Sequence, residues 1–219
     1  MKFAIIVFPG SNCDYDAYYA LNKILNVETD FIWHKESSLD KYDAILLPGG
    51  FSYGDYLRTG AIAKYSPIMK EVIQSSEKGV PVIGICNGFQ ILIEAGMLPG
   101  ALIKNKHTKF ISKMVSLDVN TTDSLFTKNF KKGDSISMPI AHGEGNYQID
   151  GDGLKELEDN DCIAFKYSNL NNLNGSISNI AGILNQEKNV LGMMPHPERA
   201  CEKILGSDEG VNIFKSMLG

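Results

Sequence analysis

Arginine is scarce in this chain: of 21 basic residues only Arg58 and Arg199 are arginines. Bidentate capture of phosphates by an arginine cluster is therefore not expected of it. No Gly-x-x-x-x-Gly-Lys-Ser/Thr segment occurs either, so it has no phosphate-cradling loop of that kind. The four cysteines, Cys13, Cys86, Cys162 and Cys201, are widely spread and include no Cys-x-x-Cys pair. That spacing supports neither a disulfide framework nor a zinc site, and it points to a reducing, cytoplasmic setting. Long apolar runs are missing too, with nothing near the ~20 residues of a membrane span. The apolar start, 1–10, stops at Pro9-Gly10 without a small-residue cleavage site, so it reads as a first strand and not as a signal peptide. Positive charge is in deficit, and a net charge of -5 argues against nucleic acid or an anionic membrane as partner.

What is present is an ordinary globular composition: 219 residues, 43% hydrophobic and 21% charged, which predicts one domain over 1–219. Apolar runs rich in Val and Ile predict strands over 2–8, 28–34, 43–47 and 81–85. Ala17, Tyr18, Leu21, Ile24 and Leu25 fall at helical spacing and predict a helix over 14–27. A second helix is expected over 61–77, closed by Lys78-Gly79. This alternation predicts an α/β fold, a three-layer αβα sandwich around a mainly parallel sheet. After Gly100 the texture changes. Short runs at 109–119, 135–140 and 162–167, split by Gly, Asn and Asp clusters, predict antiparallel strands joined to the same core. The Asn- and Ser-rich stretch 169–179 reads as a loop, 180–184 and 190–194 as two strands across a turn, and 209–218 as a closing helix.

In such sheets ligands bind beyond the carboxyl ends of the strands. Three of those ends carry Gly-rich loops: 9–14, 48–55, and Gly84-Ile85-Cys86-Asn87-Gly88. The last follows a buried strand and opens a predicted helix over 89–95. That is a nucleophile elbow with Cys in place of Ser, its reactive atom at the apex of a sharp turn. The two glycines leave room for strand and helix to pack closely, and the helix N-terminus favours negative charge on Cys86. A free cysteine is more often a small buried hydrophobe. The elbow argues for chemistry here.

A cysteine nucleophile needs a base and a group to orient that base. Of His34, His107, His142 and His196, only His196 follows a predicted strand and sits between two prolines, Pro195 and Pro197, which enforce extended backbone. Residues i and i+2 of extended chain share a side, so Glu198 can accept the second ring N–H of His196. For an oxyanion, the backbone N–H of Asn87 is one natural donor. Gly50 can supply another, unless Pro48-Gly49-Gly50 is merely a tight turn.

Taken together, Gly84-Ile85-Cys86-Asn87-Gly88-Phe89-Gln90 and the distant His196-Pro197-Glu198 resemble the class I glutamine amidotransferase family, which has a flavodoxin-like fold and a Cys-His-Glu triad. Four further segments resemble the glutaminase subunits of phosphoribosylformylglycinamidine synthases within that family: 8–14, 49–58, 141–145 (Ala-His-Gly-Glu-Gly) and 194–199. The resemblance implies Cys86 as nucleophile, His196 as acid/base and Glu198 as its orienting carboxylate. It implies Gly50 and Asn87 as oxyanion donors, Gln90 as a substrate-holding residue, and His142-Gly143 as a second glutamine-binding segment. It also implies a larger ATP- and Mg-using synthetase partner, a small bridging subunit, and no cofactor in this chain. Rival expectations are a glutaminase subunit of another amidotransferase, or a γ-glutamyl hydrolase. One departure is visible: the family's usual Asn-Pro-Asn-Gly-Ser reads Asn172-Leu173-Asn174-Gly175-Ser176 here.

Overall fold

A computed structural model describes residues 1–168 and 171–219. Asn169 and Leu170, at the start of the expected 169–179 loop, lie outside the described residues. Five strands pair in parallel in the order β2 (Glu28–Trp33), β1 (Lys2–Val7), β3 (Ala44–Leu47), β4 (Val82–Ile85) and β11 (Val190–Met193). The sheet then continues antiparallel through β10 (Ile180–Leu184), β9 (Ile163–Tyr167), β6 (Ile111–Val119) and β7 (Ser135–His142). A separate antiparallel pair joins β5 (Ala101–Ile103) to β8 (Asn146–Gln148). Every residue of β3, β4 and β11 is buried, as in a sheet covered on both faces. Burial in β2 alternates, which marks it as the edge of the sheet.

The flanking helices are α1 (Asp14–Tyr18), α2 (Pro67–Glu77), α3 (Asn87–Glu94), α4 (Gly151–Asp159) and α5 (Val211–Leu218). The expected helix over 61–77 begins only at Pro67. Ser66, the residue before that proline, is extended (φ -64°, ψ 140°), as the proline ring requires, and the chain ahead of it makes only a 3-10 turn at Ala63–Tyr65. The helix expected over 14–27 runs on from α1 in wider π-type turns, Tyr19–Ile24, and Asn26 breaks it at φ +54°. Three elements were not expected. Strands β5 and β8 have three residues each, too few to show a period. Helix α4 opens with glycines that hide it, although Asp150 caps it by accepting from Gly153 N at 2.7 Å.

The strand pair β10–β11 decides where the site forms. β11 docks parallel to β4, with Gly192 opposite Gly84 and Met193 opposite Ile85. The carboxyl ends of strands far apart in sequence thus finish side by side. Helix α3 lies on this pair through Phe89, which is fully buried and stacks on Tyr147 at 6.1 Å. Burying such a side chain contributes about 2–3 kcal/mol. A Cβ on Gly192 would overlap the Phe89 ring, so the helix can lie this close only over a glycine.

Candidate active site

β4 ends at Ile85 and α3 begins at Asn87, so Cys86 makes the turn alone. It does so at φ +52°, ψ -104°, a conformation that costs a non-glycine residue roughly 1–3 kcal/mol. Neighbouring contacts hold it there. Cys86 N donates to Met193 O (2.8 Å), and Gln90 N donates to Cys86 O (3.1 Å). Both glycines of the elbow are sterically required. A Cβ on Gly88 would overlap the Leu47 carbonyl, and one on Gly84 would come within 2.5 Å of Leu92 and 2.7 Å of the Gly88 backbone. The helix N-terminus therefore sits directly behind the sulfur.

From β11 the chain enters His196, whose N–H donates to Pro139 O of β7 at 2.9 Å. Its Nδ1 donates to Glu198 Oε1 at 2.6 Å, and both side chains are 1% exposed. That bond fixes the tautomer and turns Nε2 away from the carboxylate. Burial alone would discharge the imidazole. The charges of Glu198 and Cys86, and the hydrogen bond to Glu198, outweigh it and push the pKa up to about 10. Gly49 marks where the groups meet: a Cβ there would lie 2.8 Å from His196 Cε1, 3.2 Å from Cys13 Sγ and 3.4 Å from Cys86 Cβ.

Cys13 was not anticipated at this place. Its Sγ, a ring nitrogen of His196 and a carboxylate oxygen of Glu198 all lie within 4.8 Å of one another, and Cys13 and Cys86 both border the gap at Gly49. They differ in surroundings. Cys86 borders the open cleft described below, and Cys13 does not. Burial, then the Glu198 charge, pushes the Cys13 thiol up to about 12. Arg199 Nη2 reaches the Cys13 sulfur at 3.1 Å while its Nε bonds Asp16 at 2.8 Å. A metal ion on Cys13, His196 and Glu198 would have to displace that guanidinium, and His196 Nδ1 is already given to Glu198. The cluster reads as side-chain support and not as a metal site.

In front of Cys86 opens a cleft of about 180 Å³, bordered by Gly50, Gln90, His142 and Gly143 and also by Asp55 and Glu144. It is below the ~300–1,000 Å³ of sites for larger ligands and suits a molecule of amino-acid size. A larger cavity of about 470 Å³, between Gly96–Pro99 and Asn185–Glu187, contains none of these groups. Gly50 has φ +123°, and a Cβ on it would fall 2.5 Å from Asn12 N, so no side chain fits. Asn87 is the first residue of α3, where backbone N–H groups lack intrahelical partners. Its side chain accepts from Ser52 N (3.0 Å) and donates to Gln90 Oε1 (2.9 Å) and Asp55 Oδ1 (3.3 Å). Gln90 Nε2 donates to Glu144 O at 2.6 Å, so both ends of this amide brace the cleft wall.

His142 is buried in the same wall, and burial, with the His196 charge, lowers its pKa to about 4. Asn105 behind it donates through Nδ2 to His142 O and Lys109 O, which fixes Oδ1 as the acceptor for His142 Nδ1 (3.1 Å). The segment with Leu173 in place of the family's Pro is tied in by its neighbours. Asn172 bonds Ser176 O and Asn179, Asn174 donates to Gly145 O at 2.7 Å, and Leu173 packs on the core. The structure thus brings together Cys86, His196 and Glu198, and places Gly50, Gln90, His142 and Gly143 around one cleft, with Asn87 buried next to Cys86 behind its wall. It adds Cys13, Asp55 and Glu144. Of these, Cys13 and Asp55 lie in strand-end loops that the sequence singles out, and Glu144 lies within the Ala-His-Gly-Glu-Gly segment.

Residues 1–211 match the family model of the CobB/CobQ-like glutamine amidotransferase domain. Among solved structures, the chain is similar to one in the structure of PurLQS from Thermotoga maritima, with 46% identity and a TM-score of 0.90 over 99% of this chain and 97% of that one. It is more distantly similar to a glutamine amidotransferase from Thermotoga maritima (17% identity, TM-score 0.62, 100% and 96% covered). A third similarity is to the glutaminase domain of Trypanosoma brucei CTPS with bound acivicin (14% identity, TM-score 0.61, 100% and 94% covered). At such identities the last two speak for the fold alone.

Proposed function

Because this chain belongs to the CobB/CobQ-like glutamine amidotransferase family, we propose that it hydrolyses glutamine to glutamate and ammonia as the glutaminase subunit of a phosphoribosylformylglycinamidine synthase. The observation that carries the chemistry is the parallel pairing of β4 with β11, which sets the strained Cys86 beside the buried His196–Glu198 pair. In this reading the Cys86 sulfur attacks the side-chain amide carbon. The oxyanion is received by the backbone N–H groups of Gly50 and Asn87. His196, held by Glu198, gives its proton to the departing nitrogen, and ammonia leaves. Neutral His196 then takes a proton from water, whose oxygen attacks the thioester and frees glutamate and Cys86. Gln90, His142 and Gly143 shape the cleft that holds the substrate, within one glutaminase domain over 1–219.

Likeness to a chain of PurLQS at 46% identity supports the finer assignment, and the relative's three-part name supports assembly with two further components. The larger one uses ATP and Mg to aminate formylglycinamide ribonucleotide, and a small one bridges the two. Scarce arginine and the lack of a phosphate-cradling loop support placing phosphoryl transfer on the partner. We assign the protein to the cytoplasm; no helix among the described residues is long and apolar enough to cross a membrane.

The test is product formation by the assembled complex carrying Cys86→Ala, with glutamine or with ammonium salt at a pH that supplies neutral ammonia. Synthesis from glutamine should vanish and synthesis from ammonium should persist. Loss of both in an intact complex assigns Cys86 a role beyond hydrolysis. Loss of neither removes it as the nucleophile.

A further inference from the structure

The turn that follows Gly50 is wound against the preference of its residues. Tyr53 (φ +54°), Gly54 (φ +65°), Asp55 (φ +53°) and Leu57 (φ +72°) are all left-handed, which for side chains as bulky as Tyr and Leu is an outlying conformation. Ser52, just before them, keeps its hydroxyl buried without a partner among the described residues. Strain of this kind persists only where the surroundings over-determine it, and it gathers at functional sites.

Three sets of anchors hold the turn. Phe51 N donates to Gly10 O (3.2 Å) and Tyr53 N to Pro9 O, both in the loop after β1. Ser52 N donates to Asn87 Oδ1 (3.0 Å) at the start of α3. The third anchor is the Tyr53 phenol, whose oxygen lies 2.9 Å from His34 Nδ1 and 2.9 Å from Ser66 Oγ. His34 directly follows β2, Ser66 directly precedes α2, and both are buried. Among the described residues, neither element supplies anything to the cleft wall. The left-handed bend divides the turn accordingly: Phe51 and Asp55 border the cleft, whereas Tyr53 does not and meets the His34 ring edge-on at 5.6 Å. What needs holding is Gly50. With glycine at both 49 and 50, side-chain sterics do not fix the peptide between them. An oxyanion donor is effective only if it is aimed before the charge develops.

Resting on the glutaminase reading, in which the Gly50 N–H receives the oxyanion, we propose that Tyr53 is a positioning residue: its phenol, seated on His34 and Ser66, locks the strained turn and thereby aims the Gly50 N–H at the transition state. Without the phenol oxygen the turn relaxes toward right-handed backbone and the donor loses its aim. The loss falls on the charge that develops during reaction and not on glutamine in its ground state.

The experiment is Tyr53→Phe in the full chain within its complex, which removes one oxygen and keeps the ring. For glutamine hydrolysis, kcat should fall at least about tenfold while KM stays within about threefold. A second readout is inhibition by an aldehyde analogue of glutamine, with CHO in place of the amide. The Cys86 sulfur bonds to its carbonyl carbon, the C=O π pair moves onto oxygen, and that oxygen occupies the oxyanion position. Its inhibition constant should rise by about the factor that kcat falls. Lower unfolding stability with kcat and inhibition unchanged assigns Tyr53 to folding alone and overturns the proposal, as does a rise in KM with kcat kept. If Tyr53→Phe fails to fold, Ser66→Ala, which removes one of the phenol's two partners, should lower kcat at least about threefold at unchanged KM. An unchanged kcat in that variant likewise overturns the proposal. Absence of Cys86-dependent glutamine turnover in the intact protein would instead overturn the glutaminase reading itself.

Discussion

Two turns of this molecule carry a cysteine past the end of a parallel strand, and the two cysteines flank the same glycine, Gly49. After β4, Cys86 is forced to φ +52°, lies at the start of α3 and borders the cleft. After β1, Cys13 lies at φ -106°, under the Arg199 guanidinium and away from the cleft. Cys13 is as much a neighbour of His196 and Glu198 as a metal-like cluster would be. Distance to the base is therefore a poor criterion for a nucleophile. What separates the two is the backbone: a strained elbow aims one sulfur outward, and an unstrained turn leaves the other packed among side chains.

The comparison can be broken most directly by brief alkylation at pH 8 with peptide mapping. A thiol held at about 12 is ionised to roughly one part in ten thousand at that pH, so Cys86 should be labelled at least ~1,000-fold faster than Cys13. The Cys13 rate should also climb tenfold per pH unit up to about 12, because only its thiolate reacts. Cys201, likewise pushed up to about 12 by burial, should stay as slow. Dominant labelling at Cys13 would reverse the assignment of the two turns.

A smaller effect is expected from the glycine between them. Gly49→Ala places a methyl 2.8 Å from His196 Cε1, so the ring must move by several tenths of an ångström, and glutamine turnover should fall by about 100-fold. Turnover kept within a factor of three would show that the shared gap is not needed. Smallest is Cys13→Ala, which removes the sulfur that Arg199 Nη2 contacts and leaves the Asp16 pair intact. It should lower unfolding stability by about 1 kcal/mol in denaturant titration and leave turnover within about threefold. A hundredfold loss of turnover would instead place Cys13 in the chemistry.

Legibility in the sequence followed how local each cause was. The elbow is written in five consecutive residues because strand, turn and helix start follow one another there, and Gly84 answers an overlap with Gly88 and Leu92 of the same unit; the overlap of Gly88 with Leu47 of β3 is the long-range part. The His196–Glu198 pair was legible as two residues close in sequence, and a 2.6 Å bond joins them. The extended backbone expected there holds only at His196, because Pro197–Arg199 turns into a 3-10 helix that brings Glu198 back to the ring. The parallel half of the sheet showed in its Val- and Ile-rich runs, whereas the helix over 61–77 came out too long because Pro67 was read as helical interior. Cys13 beside the pair could not be seen, since it depends on β1 and β4 both neighbouring β3. Asp55 gave no periodic signal: it sits at φ +53° in an irregular turn, and the charge that acts on it, Glu144, lies 89 positions away.

The place of β11 in the sheet also bears on how the chain is made. β4 and Cys86 are synthesised about a hundred residues before the strand that completes their surroundings. At translation speeds of ~5–20 residues per second, the edge of β4 stands unpaired for roughly 5–20 s. That edge is wholly apolar, Val82-Ile83-Gly84-Ile85, and in the finished molecule it is buried between β3 and β11. A nascent chain exposing it offers a template for pairing with other chains. The same delay has a protective side. Until β11 docks, His196 and Glu198 are absent from the elbow, and in the proposed reaction Cys86 has no base to work with in a half-made protein.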